Sequence, residues 1–209
     1  MTHIAPPVEQ RASAQLAELA RIVPAEGMTL GELLLQLGER GELIVCILLT
    51  VPFLLPVSIP GSSVPFGLLI ALHGLGLLRH QVPWLPKRLV ARRLTQSQML
   101  TLLTKGAKLF ARLERFIHPR LLPLTQRATI GRVNGLLLVL SGLLMMAPLP
   151  LPFSNTLPAY GALLLAAASL ERDGVCILAG YVMVLLTVVY FSLVALLGEA
   201  GVRALWSAL

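Results

Sequence analysis

Acidic side chains are scarce in this chain, and the scarcity is sharpest in one stretch. Ten Asp and Glu stand against seventeen Lys and Arg, and between residues 79 and 132 Glu114 alone faces twelve basic residues. The acids that lie beside apolar segments are Glu39, Glu42, Glu171 and Asp173. They have no recognisable spacing and no accompanying metal motif, so an enzyme of hydrolysis or glycosyl transfer, which would have to use these acids, is the less favoured reading. Charge of either sign is sparse, at 13% against 56% hydrophobic residues. That balance excludes an ordinary soluble domain and places the chain in a membrane. Aromatic residues make up only 5%, so the formal surplus of seven positive charges does not read as nucleic-acid binding. Anionic headgroups are the natural counter-charge. The two cysteines, Cys46 and Cys176, sit inside apolar runs as small hydrophobes rather than as a bridge or metal pair. No catalytic residue, cofactor or metal is implied. A signal peptide is not visible either, since Glu9 and Glu18 fall early and no apolar run begins before about Leu43.

What the chain does have is a repeated interruption. Pro56, Pro60, Ser62 and Ser63 recur 92 residues later as Pro148, Pro152, Ser154 and Asn155. Pro65 and Gly67 follow the first copy, and Pro158 and Gly161 follow the second after a small slippage. Proline removes helix hydrogen bonds, and small polar residues cap new helices, so each stretch ends one helix and begins another. In lipid such a break survives only where protein or a wet cavity covers the freed backbone.

Residues 43–57 and 65–78 form the arms of a first hairpin. Each reaches roughly 20 to 23 Å at 1.5 Å per residue, short of the about 30 Å of a full crossing. The hairpin is therefore re-entrant or thinly spanning. His73 lies on its second arm beside Gly74, either as an intramembrane functional group or as a hydrogen-bonded structural residue. The second hairpin, residues 133–171, ends at Glu171, Arg172 and Asp173, where only Gly174 eases the backbone. A last apolar helix, counted from Val175, is long enough to cross once and leads to Glu199, Arg203 and Trp206. The expected fold is all-α and integral to the membrane. It has two broken helical hairpins as an internal repeat, interfacial amphipathic helices and a carboxy-terminal transmembrane helix.

The segments then fall in order. Residues 1–42 hold amphipathic helices: Leu16, Leu19, Ile22 and Val23 mark one, Pro24 to Gly27 stop it, and Thr29 caps the next, which Gly38 and Gly41 bend or end. Residues 43–78 are the first hairpin and 79–132 a basic cytoplasmic segment. Residues 133–171 are the second hairpin and 172–209 the final helix and tail. Within the basic segment a helix from Thr95 to Ile117 places Lys105, Lys108, Arg112 and Arg115 on one face. The positive-inside rule puts Glu42, Arg79, Arg132 and Arg172 on the cytoplasmic face with the amino terminus, leaving Arg203 outside.

Four stretches carry a resemblance: residues 52–67 with their proline-serine break; Pro83-Trp84-Leu85-Pro86 followed by basic residues; Leu151-Pro152-Phe153-Ser154-Asn155-Thr156-Leu157-Pro158; and Leu170-Glu171-Arg172-Asp173-Gly174. Together they are similar to the exopolysaccharide-synthesis ExoD family of bacterial membrane proteins, over residues 29–197. The resemblance implies a multi-pass inner-membrane protein linked to exopolysaccharide production, and it brings no catalytic residues.

The residues themselves suggest a site where the two breaks meet. Ser62, Ser63, Ser154, Asn155 and Thr156 would line it, with two helix amino termini turned toward an anion. Lys105, Lys108, Arg112 and Arg115 would gather negatively charged headgroups. The expected partners are membrane lipids, anionic ones above all, and the polysaccharide-synthesis machinery. A second copy of the chain is a further candidate, since Gly74, Gly76 and Gly161 offer close helix contact. The expected substrate is a phospholipid or a polyprenyl-phosphate-linked saccharide. The rival reading is a non-transporting structural partner of an export assembly.

Overall fold

The computed structural model describes residues 11–54, 63–79, 90–117, 119–121, 125, 128–147 and 151–207. The described residues are mainly helical and divide into two compact units. One comprises residues 1–41 and 85–118, the other residues 42–84 and 119–209.

The first unit is built on helix α1 (Ala12–Arg21), strand β1 (Met28–Thr29), helix α2 (Leu30–Leu37), strand β2 (Arg93–Leu94) and helix α5 (Gln96–Leu113). The two short strands pair antiparallel, Met28 opposite Leu94 and Thr29 opposite Arg93. Each leads straight into a capped helix. Thr29 accepts the Glu32 amide while Glu32 accepts the Thr29 amide, and Thr95 and Gln98 repeat the arrangement at α5. These reciprocal pairs satisfy donors that a helix start leaves open. Gly27 adopts φ +75° next to the Leu94 carbonyl, where a β-carbon has no room. Helix α2 ends at Gly38, whose φ of +61° again suits glycine. Helices α1 and α5 pack together through Leu16, Leu19, Leu103 and Phe110, with the Leu16 side chain over Gly106.

The second unit contains most of helix α3 (Glu39–Thr50), a 3-10 turn (Val51–Phe53), and helices α4 (Ser63–Arg79), α6 (Ala128–Met145), α7 (Thr156–Glu171) and α8 (Gly174–Ser207). Its most extensive pairing is α4 with α6, which joins the second arm of one expected hairpin to the first arm of the other. Two glycines on each helix, seven residues apart, make this approach. A β-carbon on Gly67 would stand 2.6 Å from the Gly142 carbonyl oxygen, and one on Gly74 would stand 2.7 Å from that of Gly135. The reciprocal positions are as tight, so the helices meet backbone to backbone, as small residues allow in apolar bundles.

Helix α7 lies against both α6 and α8, and most of it is buried, through alanines such as Ala159, Ala162 and Ala166. Along α7 and α8, Gly161 meets Val184 and Gly180 meets Leu165. A polar link ties three helices: the Asn134 amide donates to Ser169 at 3.1 Å, and the Tyr181 hydroxyl donates to Asn134 at 2.9 Å. Because Asn134 is buried, that satisfaction matters. Cys46 and Cys176 are free and buried.

Residues 174–198 of α8 are long and apolar enough to cross a membrane, and only 22% of that helix's apolar window is buried against the chain. A core helix of a soluble protein would be covered. Helices α4, α6 and α7 are also apolar but shorter.

Candidate functional site

Helix direction brings the flanks of the two breaks to one end of the second unit. Gly67 lies opposite Gly142 and Gly74 opposite Gly135, so α4 runs antiparallel to α6. Asn134 reaches Ser169 while Ser141 lies by Gly161, so α7 is antiparallel to α6 as well. Helices α4 and α7 are therefore parallel, and both begin at the end where α6 stops. They begin alike, as Ser63-Val64-Pro65 and Thr156-Leu157-Pro158, with proline at the third helical position of each.

Two tyrosines fasten this end. The Tyr160 hydroxyl of α7 donates to the Leu54 carbonyl at 3.2 Å, at the edge of the first break. The Tyr190 hydroxyl of α8 donates to the Pro152 carbonyl at 2.7 Å, inside the second. Each satisfies a carbonyl that the interrupted helix leaves open. Phe53 and Phe66 add an edge-to-face contact at 5.3 Å across the first break. Neither tyrosine stood out in the sequence, where each reads as one more residue of an apolar helix. Their one signal is a polar tip, which inside such a helix needs a partner.

Of the five residues expected at the site, Ser62 lies outside the described residues. Ser63 opens α4 and is buried. Ser154 is buried, and its hydroxyl donates to the Leu151 carbonyl at 2.9 Å, so it shapes the turn. Asn155 precedes α7 without a side-chain capping bond, and its Oδ1 is buried with no hydrogen-bond partner among the described residues. Thr156 is the first residue of α7 and is buried. The amide supply at α7 is smaller than helix geometry alone suggests. The Leu157 amide bonds the Phe153 carbonyl, Pro158 has none, and the Ala159 amide bonds Asn155. The dipole and the side-chain groups remain, and few free amides do.

His73 faces the interior of its unit, with Nδ1 2.8 Å from the Leu69 carbonyl. Its Nε2 is buried without a partner among the described residues. The Ser141 hydroxyl is in the same condition.

The turn at residues 171–174 differs from expectation in how its backbone is eased. Arg172 itself takes the left-handed conformation, φ 54° and ψ 41°. Gly174 serves a close approach instead, since a β-carbon there would lie 2.8 Å from that of Leu121. Asp173 is 2% exposed, and its Oδ1 accepts the amides of Val175 and Cys176, capping α8. The Gly174 amide donates to Arg120 at 2.8 Å.

In the first unit Lys105, Lys108 and Arg112 are exposed on the side of α5 away from Met99, Leu103, Gly106 and Phe110, and Arg115 is exposed in the turn that follows the helix. Glu114 turns the other way. Its carboxylate accepts the Ser13 amide at 2.8 Å and the Ser13 hydroxyl.

A model of the family described as "Exopolysaccharide synthesis, ExoD" matches residues 12–193. Protein ExoD of Rhizobium meliloti (strain 1021) is 45% identical over 178 residues, 85% of this chain and 73% of that protein. The chain belongs to the ExoD family. An uncharacterised protein of Synechocystis sp. is 32% identical over 162 residues, 76% of this chain and 75% of its own length. No solved structure matches. The family match extends the resemblance into α1, and so takes in both helices of the first unit's packed pair.

Proposed function

We propose that this ExoD-family chain supports exopolysaccharide production as a multi-pass protein of the bacterial inner membrane, with its amino terminus in the cytoplasm. Its task is to bind or move an anionic lipid-like substrate, such as a phospholipid or a polyprenyl-phosphate-linked saccharide. The site is the region of the two breaks, with Ser62, Ser63, Ser154, Asn155 and Thr156 around it.

The observation that carries this reading is the parallel start of α4 and α7 at a common end, taken with where that end meets α8. Tyr190 holds Pro152. It lies 16 residues after Gly174 and 8 before Gly198, or roughly 24 Å and 12 Å along the helix. With about 30 Å of hydrocarbon to cross, the breaks then sit inside the apolar layer rather than at its edge. Two dipole ends held there favour negative charge, while the buried Oδ1 of Asn155, an acceptor without a partner among the described residues, calls for a donor at the same place, such as a saccharide hydroxyl. An isolated charge would be costly at that depth, so the hydroxyls and the dipoles must act together on the headgroup.

The test is substrate movement in vesicles reconstituted with the chain. Ser154→Ala combined with Asn155→Ala is expected to abolish movement while leaving expression intact, and full activity in that variant would sink the proposal. A structural partner of an export assembly would tolerate both changes and lose function on removal of residues 1–28.

A further inference from the structure

We propose that the first unit docks on an anionic bilayer surface through the outer ridge of α5, with Phe116 as the side chain that enters the lipid. This rests only on the membrane location in the reading above and is independent of the site at the breaks.

Three observations meet here. Lys105, Lys108 and Arg112 occupy a ridge spanning roughly 10 Å of helix, opposite the buried side of α5, and exposed Arg115 follows in the turn after Leu113. Phe116 lies in the turn that follows α5, four residues after Arg112, and is 81% exposed, which is costly in water for so large an apolar ring. Glu114, the one acid of the basic segment, is withdrawn from the ridge and 5% exposed. It is held by Ser13 in the first turn of α1, whose own preceding residue, Arg11, makes no side-chain cap. A carboxylate there completes the helix start and suits its dipole. The same bond leaves the opposite ridge purely cationic. A row of cations beside an exposed aromatic is the chemistry of an interfacial helix on acidic lipid. A soluble acidic partner would account for the charges but not for the ring.

The experiment uses the full chain with Phe116→Trp and with Trp84 and Trp206 replaced by Phe, reconstituted in vesicles whose phosphatidylcholine carries brominated acyl chains. Tryptophan at position 116 is expected to be quenched when phosphatidylglycerol is included and to recover severalfold when it is omitted or when salt is raised. Replacing Lys105, Lys108, Arg112 and Arg115 by Gln is expected to give the same recovery, since each near-surface cation strengthens attraction about fivefold. These four side chains are exposed, so the fold is not at stake. Absence of quenching in every vesicle, or quenching indifferent to acidic lipid and to the four substitutions, would overturn the proposal. The Ser154→Ala, Asn155→Ala variant should quench normally, which separates failure here from failure at the breaks.

Discussion

A β-carbon on Gly142 would stand 2.5 Å from the Gly67 carbonyl oxygen, which is backbone and cannot turn aside. Gly142→Val should therefore force α4 and α6 apart and destabilise the bundle by about 1–3 kcal/mol or more. Gly131 on the same helix has nothing within 4 Å of its β-carbon position. Gly131→Ala is expected to leave the thermal midpoint in detergent unchanged or slightly raised, and equal loss in both variants would refute the close seam. At the other unit, the Thr29 amide bonded to Glu32 holds that carboxyl below the usual carboxylate range. A depressed folded value means the bond contributes above the unfolded carboxylate range and is lost as pH falls through the folded one. The protection of the Thr29 amide relative to its intrinsic exchange rate should accordingly fall on acidification more in the native chain than in Glu32→Gln, where the capping bond does not titrate.

Among the elements, α5 was the most legible. Its start near Thr95 and its basic face follow from helical spacing over neighbouring residues, and the structure ends the helix at Leu113 rather than Ile117 and makes Thr95 its cap. Helices α4, α6, α7 and α8 are apolar around most of their circumference, so periodicity could not say which faces meet. Their pairing depends on Gly67, Gly74, Gly135 and Gly142, which come together only across a separation of many residues. Glu114 was likewise opaque, because its partner Ser13 lies 101 residues away. Helix α1 should feel that bond. Glu114→Ala removes two acceptors at its first turn and is expected to cost about 1–3 kcal/mol, read as earlier melting of the α1–α5 pair by hydrogen exchange. Tyr160→Phe and Tyr190→Phe, by contrast, should leave the amides of α4, α6 and α7 beyond their first turns protected and raise hydrogen exchange only near Leu54 and at residues 151–154. A general loss of protection would show that the tyrosines hold the whole bundle rather than its breaks.

For the molecule as a whole, everything proposed about substrate depends on depth. Helices α4, α6 and α7 reach only roughly 24 to 27 Å, while the apolar part of α8 reaches roughly 37 Å. Their common end therefore falls short of the far end of α8. Val64 and Phe153 flank that end, and both are exposed, so they accept a probe without disturbing the core. Spin labels placed singly at these two positions in the reconstituted chain report depth through their relative access to oxygen and to a water-soluble relaxant. The account predicts that both labels lie at one depth within the hydrocarbon, on the same side of the bilayer and shielded from the aqueous agent. Labels open to bulk water, or lying toward opposite faces of the membrane, would contradict it.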